Sequence, residues 1–401
     1  MRIAENKHCY TMQFFQGFGV SLATSYCGEM TRTQKSGKTQ YHATNNTVDA
    51  VSEKVFMDEC MQIDWAEDIQ PLLSLLDFEQ SSIMNMVLNV TYDRTRKHFY
   101  LGNGEFRDSV DSTHISLNFM YPFGDNFLTI RRDRIVPVLA DKKTLLNEIT
   151  DELTKINADY ATHLSRPLIP IAMDCVDVIL PAGIGGVFVH ESIGHCLEAD
   201  FFCSGKNVLF SKLGQKITNS NISISDNAIN TSLSCDGTPK HNVALVSKGR
   251  LTGVMTDKFS AERYGIADTG NGRAMSYRDL PMPRMRNTYL HNGDTDPYEI
   301  TRSTKNGVIA TEILGGSCNC ETGNFVFNIA HGLVVKNGQI TGISEPLLFT
   351  GDILNALDTI DVIGNDLGFA KAKCGKNGQT LTVSYGQPTI RISKQRGVQA
   401  I

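Results

Sequence analysis

The sequence predicts an α+β chain: an N-terminal antiparallel sheet with flanking helices over residues 1–165, then a mainly-β, barrel-like domain over 166–401 that carries one chemically loaded helix. Three observations carry this. Apolar and polar side chains alternate at Ile115, Leu117, Phe119 and Tyr121, with Ser116 and Asn118 between them, as in a half-buried strand. A long stripe of apolar residues follows Asp141 at helical spacing. Beyond residue 165 short strands and turns dominate, without the strand-helix alternation of a doubly wound sheet. At 401 residues the chain is long enough for two domains, each with its own core.

Residues 1 to about 80 read as polar and loop-rich, around Ser36-Gly37-Lys38-Thr39 and Asn45-Asn46-Thr47. From Ile83 the pattern turns to β, with one strand through Met84–Tyr92, another at His98–Leu101 and a Gly102-Asn103-Gly104 turn. Asp141 opens a helix whose Leu145, Leu146, Ile149, Leu153, Ile156, Tyr160 and Leu164 recur at steps of three and four. That stripe is core, and Arg166-Pro167 ends it.

Asp174–Leu180 reads as a strand stopped by Pro181-Ala182-Gly183. Residues 245–253 (LVSKGRLTG) and 333–342 (LVVKNGQITG) echo one another as strand, glycine-containing turn, strand, and fit either related hairpins of a barrel-like sheet or independent ones. Asp352 caps a short helix with Ile353, Leu354, Leu357 and Ile360 inward. Leu381, Val383 and Tyr385, then Ile390 and Ile392 after Pro388, predict two closing strands.

The segment after Pro181 holds the chemistry. His190, Glu191 and His195 are able to bind a divalent metal and move a proton. The common zinc-protease spacing puts two histidines four residues apart on one helix face, whereas here the gap is five. On a regular α-helix a gap of five turns the side chains roughly 140° apart. A single π-type turn would realign them, with Gly194 as the natural place to absorb it. Taken alone, the same residues also fit helix caps and core hydrogen bonds.

Composition excludes several classes. Apolar residues make up 41% and charged residues 20%, which is a globular balance. The net charge of −5, with no long basic run, argues against direct nucleic-acid contact. No stretch approaches the roughly eighteen apolar residues of a membrane span. The start imitates a signal peptide, but Glu5 spoils its cationic region while Gln16, Gly17 and Gly19 interrupt its apolar one, so the expectation is cytoplasmic. Ten cysteines, at 9, 27, 60, 175, 196, 203, 235, 318, 320 and 374, lack the spacing of a disulfide scaffold and read as mostly reduced thiols. Cys318-x-Cys320 is either a redox or metal pair or two loop thiols, and it is too closely spaced for the usual zinc knuckle.

GGVFVHESIGHCLEAD at 185–200 resembles the His-Glu-x-x-x-His segment of the TldD/PmbA metallopeptidases, also described as modulators of DNA gyrase. Further similar stretches follow in order: CDGTP at 235–239, GNGRAMSYRDLPMPRMRNTYL at 270–290, VIGNDLG at 362–368 and CGKNGQTLTVSYGQPTI at 374–390. Together they reach from about Pro167 to Ile392. The resemblance implies a third ligand at Cys374, joining His190 and His195, and that donor set favours zinc over magnesium or calcium. It implies Glu191 as the general base for a metal-activated water, in a catalytic-type subunit that hydrolyses short or unfolded peptides. Glu198 and Asp200 are candidates to orient the ligand imidazoles, or else are surface carboxylates. Arg273, Tyr277, Arg284 and Asn287 are candidates for substrate contact, or else scaffold their loops.

The family pairs two subunits, implying a homodimer or a heterodimer with a homologous subunit. The chain before the metal motif is shorter than is usual there, and Cys196 stands where a small residue is the rule. The competing class is a regulatory, gyrase-modulator subunit with a structural metal, which would have no need of Glu191.

Overall fold

The computed structural model describes the chain apart from Met1 and residues 16–17, 36–37, 47–64, 74, 76–84, 102–103, 124–125, 137–138, 172–174, 220, 229–232 and 401. Its class is α+β, and no described helix is long and apolar enough to cross a membrane. Two compact units emerge, Met1–Ser165 with Met275–Leu280, and Arg166–Ala274 with Pro281–Ile401.

The first unit is an antiparallel sheet of β1 (Arg2–Phe15), β2 (Phe18–Lys35), β3 (Lys38–Asn46), β4 (Asn85–Leu101), β5 (Gly104–Phe123) and β6 (Asn126–Val136), in the order β3-β2-β1-β4-β5-β6. Its core joins Leu88, Val90 and Tyr92 of β4 and Ile115, Leu117 and Phe119 of β5 to the helix α1 (Lys142–Leu164). Leu145, Ile149, Leu153 and Ile156 form the buried stripe of α1, and Asp141 caps it by accepting from Thr144 N at 2.7 Å. The strands β1 to β3 correct the loop-rich reading over residues 2–46. These strands are rich in Thr, Gln, Asn and Lys, so backbone pairing sets their register and no apolar period marks them. The turn at Gly102-Asn103, Ser36-Gly37, Thr47 and Asp174 lie outside the described residues.

The second unit has two principal sheets. One runs edge to edge as Arg250–Leu251, Val243–Ser247, Ile224–Asp226, Asn287–Leu290, Gln379–Gln387 and Gly368–Lys376. The other runs as Ile360–Ile363, Ile390–Gln395, Val176–Leu180, Asn306–Cys318, Asn324–Lys336, Leu347–Asp352 and Val398–Ala400, with Gln339–Ile343 also pairing with Asn324–Lys336. Both are open rather than barrel-closed. The two echoing hairpins lie in different sheets and owe their likeness to the same turn chemistry. Lys248-Gly249 has φ of 47° and 79°, and Asn337-Gly338 has 49° and 78°, the left-handed pairs a two-residue hairpin requires. The two closing strands likewise belong to different sheets, so the chain changes sheet across Pro388 and Thr389. The helix at Ile353–Asp358 starts as expected, Asp352 accepting from Leu354 N and Asn355 N at 3.0 Å.

The helical segment that follows Val176–Leu180 is seated by backbone contact. Gly183 N donates to Gln387 O at 3.0 Å and Ala182 N to Thr389 Oγ1 at 3.2 Å, tying its start to the sheet-changing residues. A Cβ on Gly186 would stand 2.8 Å from the backbone of Gly386, and one on Gly368 would stand 2.9 Å from Gly183 N. Glycine is required there because the obstacles are main chain and have no rotamer to change.

This contact makes a prediction. Gly186→Ala should destabilise the second unit by about 1–3 kcal/mol through overpacking. Gly375→Ala, whose added carbon meets nothing within 4 Å, should leave stability unchanged. Urea unfolding of both variants checks this, and equal midpoints would show that the Gly186 contact is not rigid.

Candidate metal centre

Val187–Val189 begins as α-helix, and His190–Gly194 continues as π-helix, with His195 N donating back to His190 O. The five-residue gap is therefore absorbed as its spacing required, and the two imidazoles meet with ring centroids 5.0 Å apart. Gly194 has a different task from the one expected. Its φ of −56° and ψ of −58° are ordinary helical values, and the glycine is needed because a Cβ there would collide with Met285 Sδ.

Cys374 reaches the same place from the Gly368–Lys376 strand, an edge of its sheet. Its Sγ lies 3.3 Å from His195 Nε2. One ligating atom each from His190, His195 and Cys374 falls within 4.8 Å of the others. Cys374 sits within the strand, and the space beside Gly375 is open.

The surroundings separate the two histidines. Burial, then the nearby His195, Arg284 and Arg273, push the His190 imidazole well below its ordinary pKa, so it is neutral, the form a metal ligand needs. Its Nδ1 is buried without a hydrogen-bond partner. For His195 burial acts downward, but the Glu198 carboxylate and the Cys374 thiol outweigh it and raise the pKa well above the ordinary value. A cation at Nε2 has to displace that proton. Glu191 Oε2 stands 3.8 Å from His195 Nε2, and burial, reinforced by Glu198 against His195, raises its carboxyl pKa.

Glu198 is fully buried and holds the far side of His195, accepting from Nδ1 at 3.0 Å. It also takes a hydrogen bond from Lys376 Nζ at 2.9 Å and from Met285 N at 3.3 Å, and lies 3.8 Å from Arg284 Nε. Burial drives its pKa up, while His195 and Lys376 prevail and hold it at about 2. Asp200 meets this network through Lys376 Nζ, whose hydrogen bond it accepts at 2.7 Å. Lys376 carried no sequence signal beyond its place two residues past Cys374 on the same strand face.

Arg273 and Arg284 act on backbone. Arg284, fully buried, donates to Cys374 O at 2.6 Å, and Arg273 donates to Met285 O and, at 2.7 Å, to Thr382 O. Asn287 lies on the strand beside Asp226, its backbone N–H donating to that carboxylate at 3.0 Å. Tyr277 belongs to the first unit, where its hydroxyl accepts from Arg278 Nε at 3.0 Å. The structure thus gathers His190, Glu191, His195, Glu198 and Cys374, with Arg284 and Arg273 bracing the strands around them.

Two imidazoles and a thiol converging on one point, with a carboxylate alongside, define a protein of the metal-site class, and the donor set fits a borderline-soft cation. A family model, the PmbA/TldA metallopeptidase C-terminal domain, matches residues 174–397, and the chain belongs to that family. It is 34% identical over 223 residues to a "Metalloprotease TldD homolog" of Buchnera aphidicola, covering 54% of this chain and 46% of that protein. It is also 34% identical to a "Zinc metalloprotease TldD homolog" of Saccharolobus solfataricus over 224 residues, 54% of this chain and 50% of the relative. The chain spans about half the length of the curated relatives it matches. In fold it is similar to the crystal structure of TldE from Thermococcus kodakarensis, with a TM-score of 0.74 at 14% identity, covering 100% of this chain and 96% of that one.

The Glu198–Lys376 pair generates a prediction. Lys376→Met leaves a buried carboxylate short of a cation, a change that typically costs about 3–5 kcal/mol. Urea unfolding of metal-free protein should show a loss of that size, and a loss below about 1 kcal/mol would mean that Glu198 is balanced without Lys376.

Proposed function

We propose that the chain is a zinc-dependent peptidase of short or unfolded peptides, in which residues 166–401 form the catalytic domain. His190, His195 and Cys374 would hold the ion. The convergence of those three donors within 4.8 Å, with Glu191 facing the same imidazole as the thiol, is the observation that carries the reading. Zinc, when bound, supplies a Lewis acid able to polarise a peptide carbonyl and to acidify water.

The chain's own residues supply the rest. Glu198 fixes the tautomer and ring plane of His195 through Nδ1, leaving Nε2 turned to the site. Arg284 holds the carbonyl of Cys374 and so the position of its sulfur. Glu191 is the general base: its carboxylate takes a proton from the attacking water and returns it to the leaving amine nitrogen. His190 and Cys374 are both buried, which favours extended or unfolded chains over folded proteins as substrates. Arg273, Tyr277, Arg284 and Asn287 remain proposed substrate neighbours, and the backbone bonds of the two arginines favour a bracing role for them. A cytoplasmic location goes with cysteines read as mostly reduced thiols, and the absence of direct nucleic-acid contact with the charge balance of −5.

Glu191→Gln and Cys374→Ala test the assignment together. Glu191→Gln should keep its zinc and lose peptide cleavage by ~10²–10⁴-fold, the usual size of general-base assistance. Cys374→Ala should lose most of its zinc. Zinc stoichiometry alongside kcat on a fluorogenic peptide reads both. Near-native kcat in Glu191→Gln would show that Glu191 is not the base, zinc-loaded unaltered chain that cleaves no peptide would return it to a regulatory role, and full zinc in Cys374→Ala would remove that thiol from the site.

We also propose that the chain works as a dimer, with itself or with a homologous subunit. Its likeness in fold to a protein named TldE supports a frame of the kind found in both subunit types. Sedimentation of the chain, alone and mixed with a homologue from the same source, should give a species of about twice 44.2 kDa. A strictly monomeric species with full peptidase activity would defeat the pairing.

A further inference from the structure

A second set of sulfur side chains lies immediately behind the candidate ligands. Cys196 directly follows His195, is fully buried, and its thiol is within hydrogen-bonding reach of both Cys318 and Cys320. Backbone contacts hold these segments together independently of the thiols. Asn207 Nδ2 donates to Cys196 O at 2.8 Å, and the next residue, Val208, donates its N–H to Cys320 O at 2.9 Å. Cys320 sits in the turn that follows the Asn306–Cys318 strand. Asn319 organises that turn, its Oδ1 accepting from Glu321 N at 2.9 Å and Thr322 N at 3.2 Å while its carbonyl accepts from Gly323 N at 2.7 Å.

Cys196, Cys318 and Cys320 are free thiols. Among the described residues the cage with metal-like spacing is His190, His195 and Cys374, and it does not include them. Touching thiols that are not gathered for a cation are suited to joining one another. Access is unequal: Cys196 is buried, whereas Cys318 and Cys320 are both half-buried, and of these two it is Cys320, in the turn, that the bonds of Asn207 and Val208 hold beside the Cys196 segment.

We propose that Cys196 and Cys320 form a reversible oxidation site, closing a disulfide beside the metal centre when the chain meets a peroxide. The Cys320 thiolate attacks one peroxide oxygen, the O–O bond breaks, and hydroxide leaves with the Cys320 sulfur as sulfenic acid. The Cys196 sulfur then attacks the Cys320 sulfur, the S–O bond breaks, and the Cys196 proton departs with the oxygen as water. Two thiols are oxidised by two electrons in total and one hydrogen peroxide is reduced to two waters. The link ties the residue after His195 to the turn beyond the Asn306–Cys318 strand, and it goes beyond the peptidase reading without depending on it.

The test uses the full chain, treated with hydrogen peroxide, denatured in N-ethylmaleimide and digested without reduction. Mass spectrometry should find the Cys196 peptide joined to the Cys320 peptide, and a phosphine reductant should separate them. The joined species should persist in Cys318→Ser and vanish in Cys320→Ser. If Cys318→Ser abolishes the link and Cys320→Ser keeps it, the partner is Cys318 and the assignment is overturned. If Cys196 is recovered alkylated while Cys320 has been oxidised, no disulfide forms and the proposal fails. The readout is a covalent bond, so it stands whether or not the chain cleaves peptides.

Discussion

The buried carboxylate of Glu198 is the constraint on which the rest of the site depends. A charge with no solvent exposure has to be met by fixed cations and donors, and here they come from three separate stretches: His195, the Arg284–Met285 segment, and Lys376 on the Cys374 strand. Satisfying one side chain therefore brings the histidine helix, the arginine segment and the cysteine strand into a single arrangement. Metal ligation needs that same arrangement. Arg284 serves it twice, approaching Glu198 with Nε and holding Cys374 O with its terminal nitrogen.

Close main-chain packing works alongside this electrostatic tie. The helix bearing the histidines rests on the Gln379–Gln387 and Gly368–Lys376 strands where glycine faces glycine, Gly186 on Gly386 and Gly183 on Gly368. The chain enters that helix from one sheet, while Cys374 lies on the other. Pro388 and Thr389 join the two sheets, and Asp366 holds Thr389 by accepting from its N at 2.9 Å and its Oγ1 at 2.7 Å. The distance between imidazole and thiol is thus set by main chain against main chain, where little relaxation is available.

Legibility in the sequence followed how local each signal was. The α1 stripe, the cap at Asp141 and the alternation through Ile115, Leu117 and Phe119 depend on near neighbours and were readable. The five-residue histidine gap was readable as a π turn because its geometry admits few other solutions. β1 to β3 were not readable, since their pairing is satisfied by backbone and their polar side chains show no period. Lys376, the Cys196–Cys320 contact and Asp226 were equally hidden. Asp226 is fully buried and accepts from Arg286, Asn287, Thr288 and Asn271, partners 45 to 62 residues away that no local pattern records. Cys374 came from resemblance, because one thiol among ten has no distinguishing neighbourhood in sequence.

The two histidines, alike in sequence, end in opposite electrostatic states, and that difference suits them to different tasks at one cation. Burial, aided by His195 and against the opposing pull of Glu198, holds the His190 pKa well below its ordinary value and favours the neutral ring. His195 is bound to Glu198 on one side and faces Cys374 on the other, so its Nε2 would be the atom to hold a cation, with Nδ1 kept by its hydrogen bond. The carboxylate that favours protonation of His195 is the same one that steadies the ring for the metal. A neutral residue at position 198 would remove both effects together, and would also leave Arg284 buried without the carboxylate it faces and Lys376 with Asp200 alone. The orientation of His195, the placing of Arg284 and the packing of the cysteine strand are therefore coupled through Glu198, whose carboxylate meets the ring nitrogen opposite Nε2.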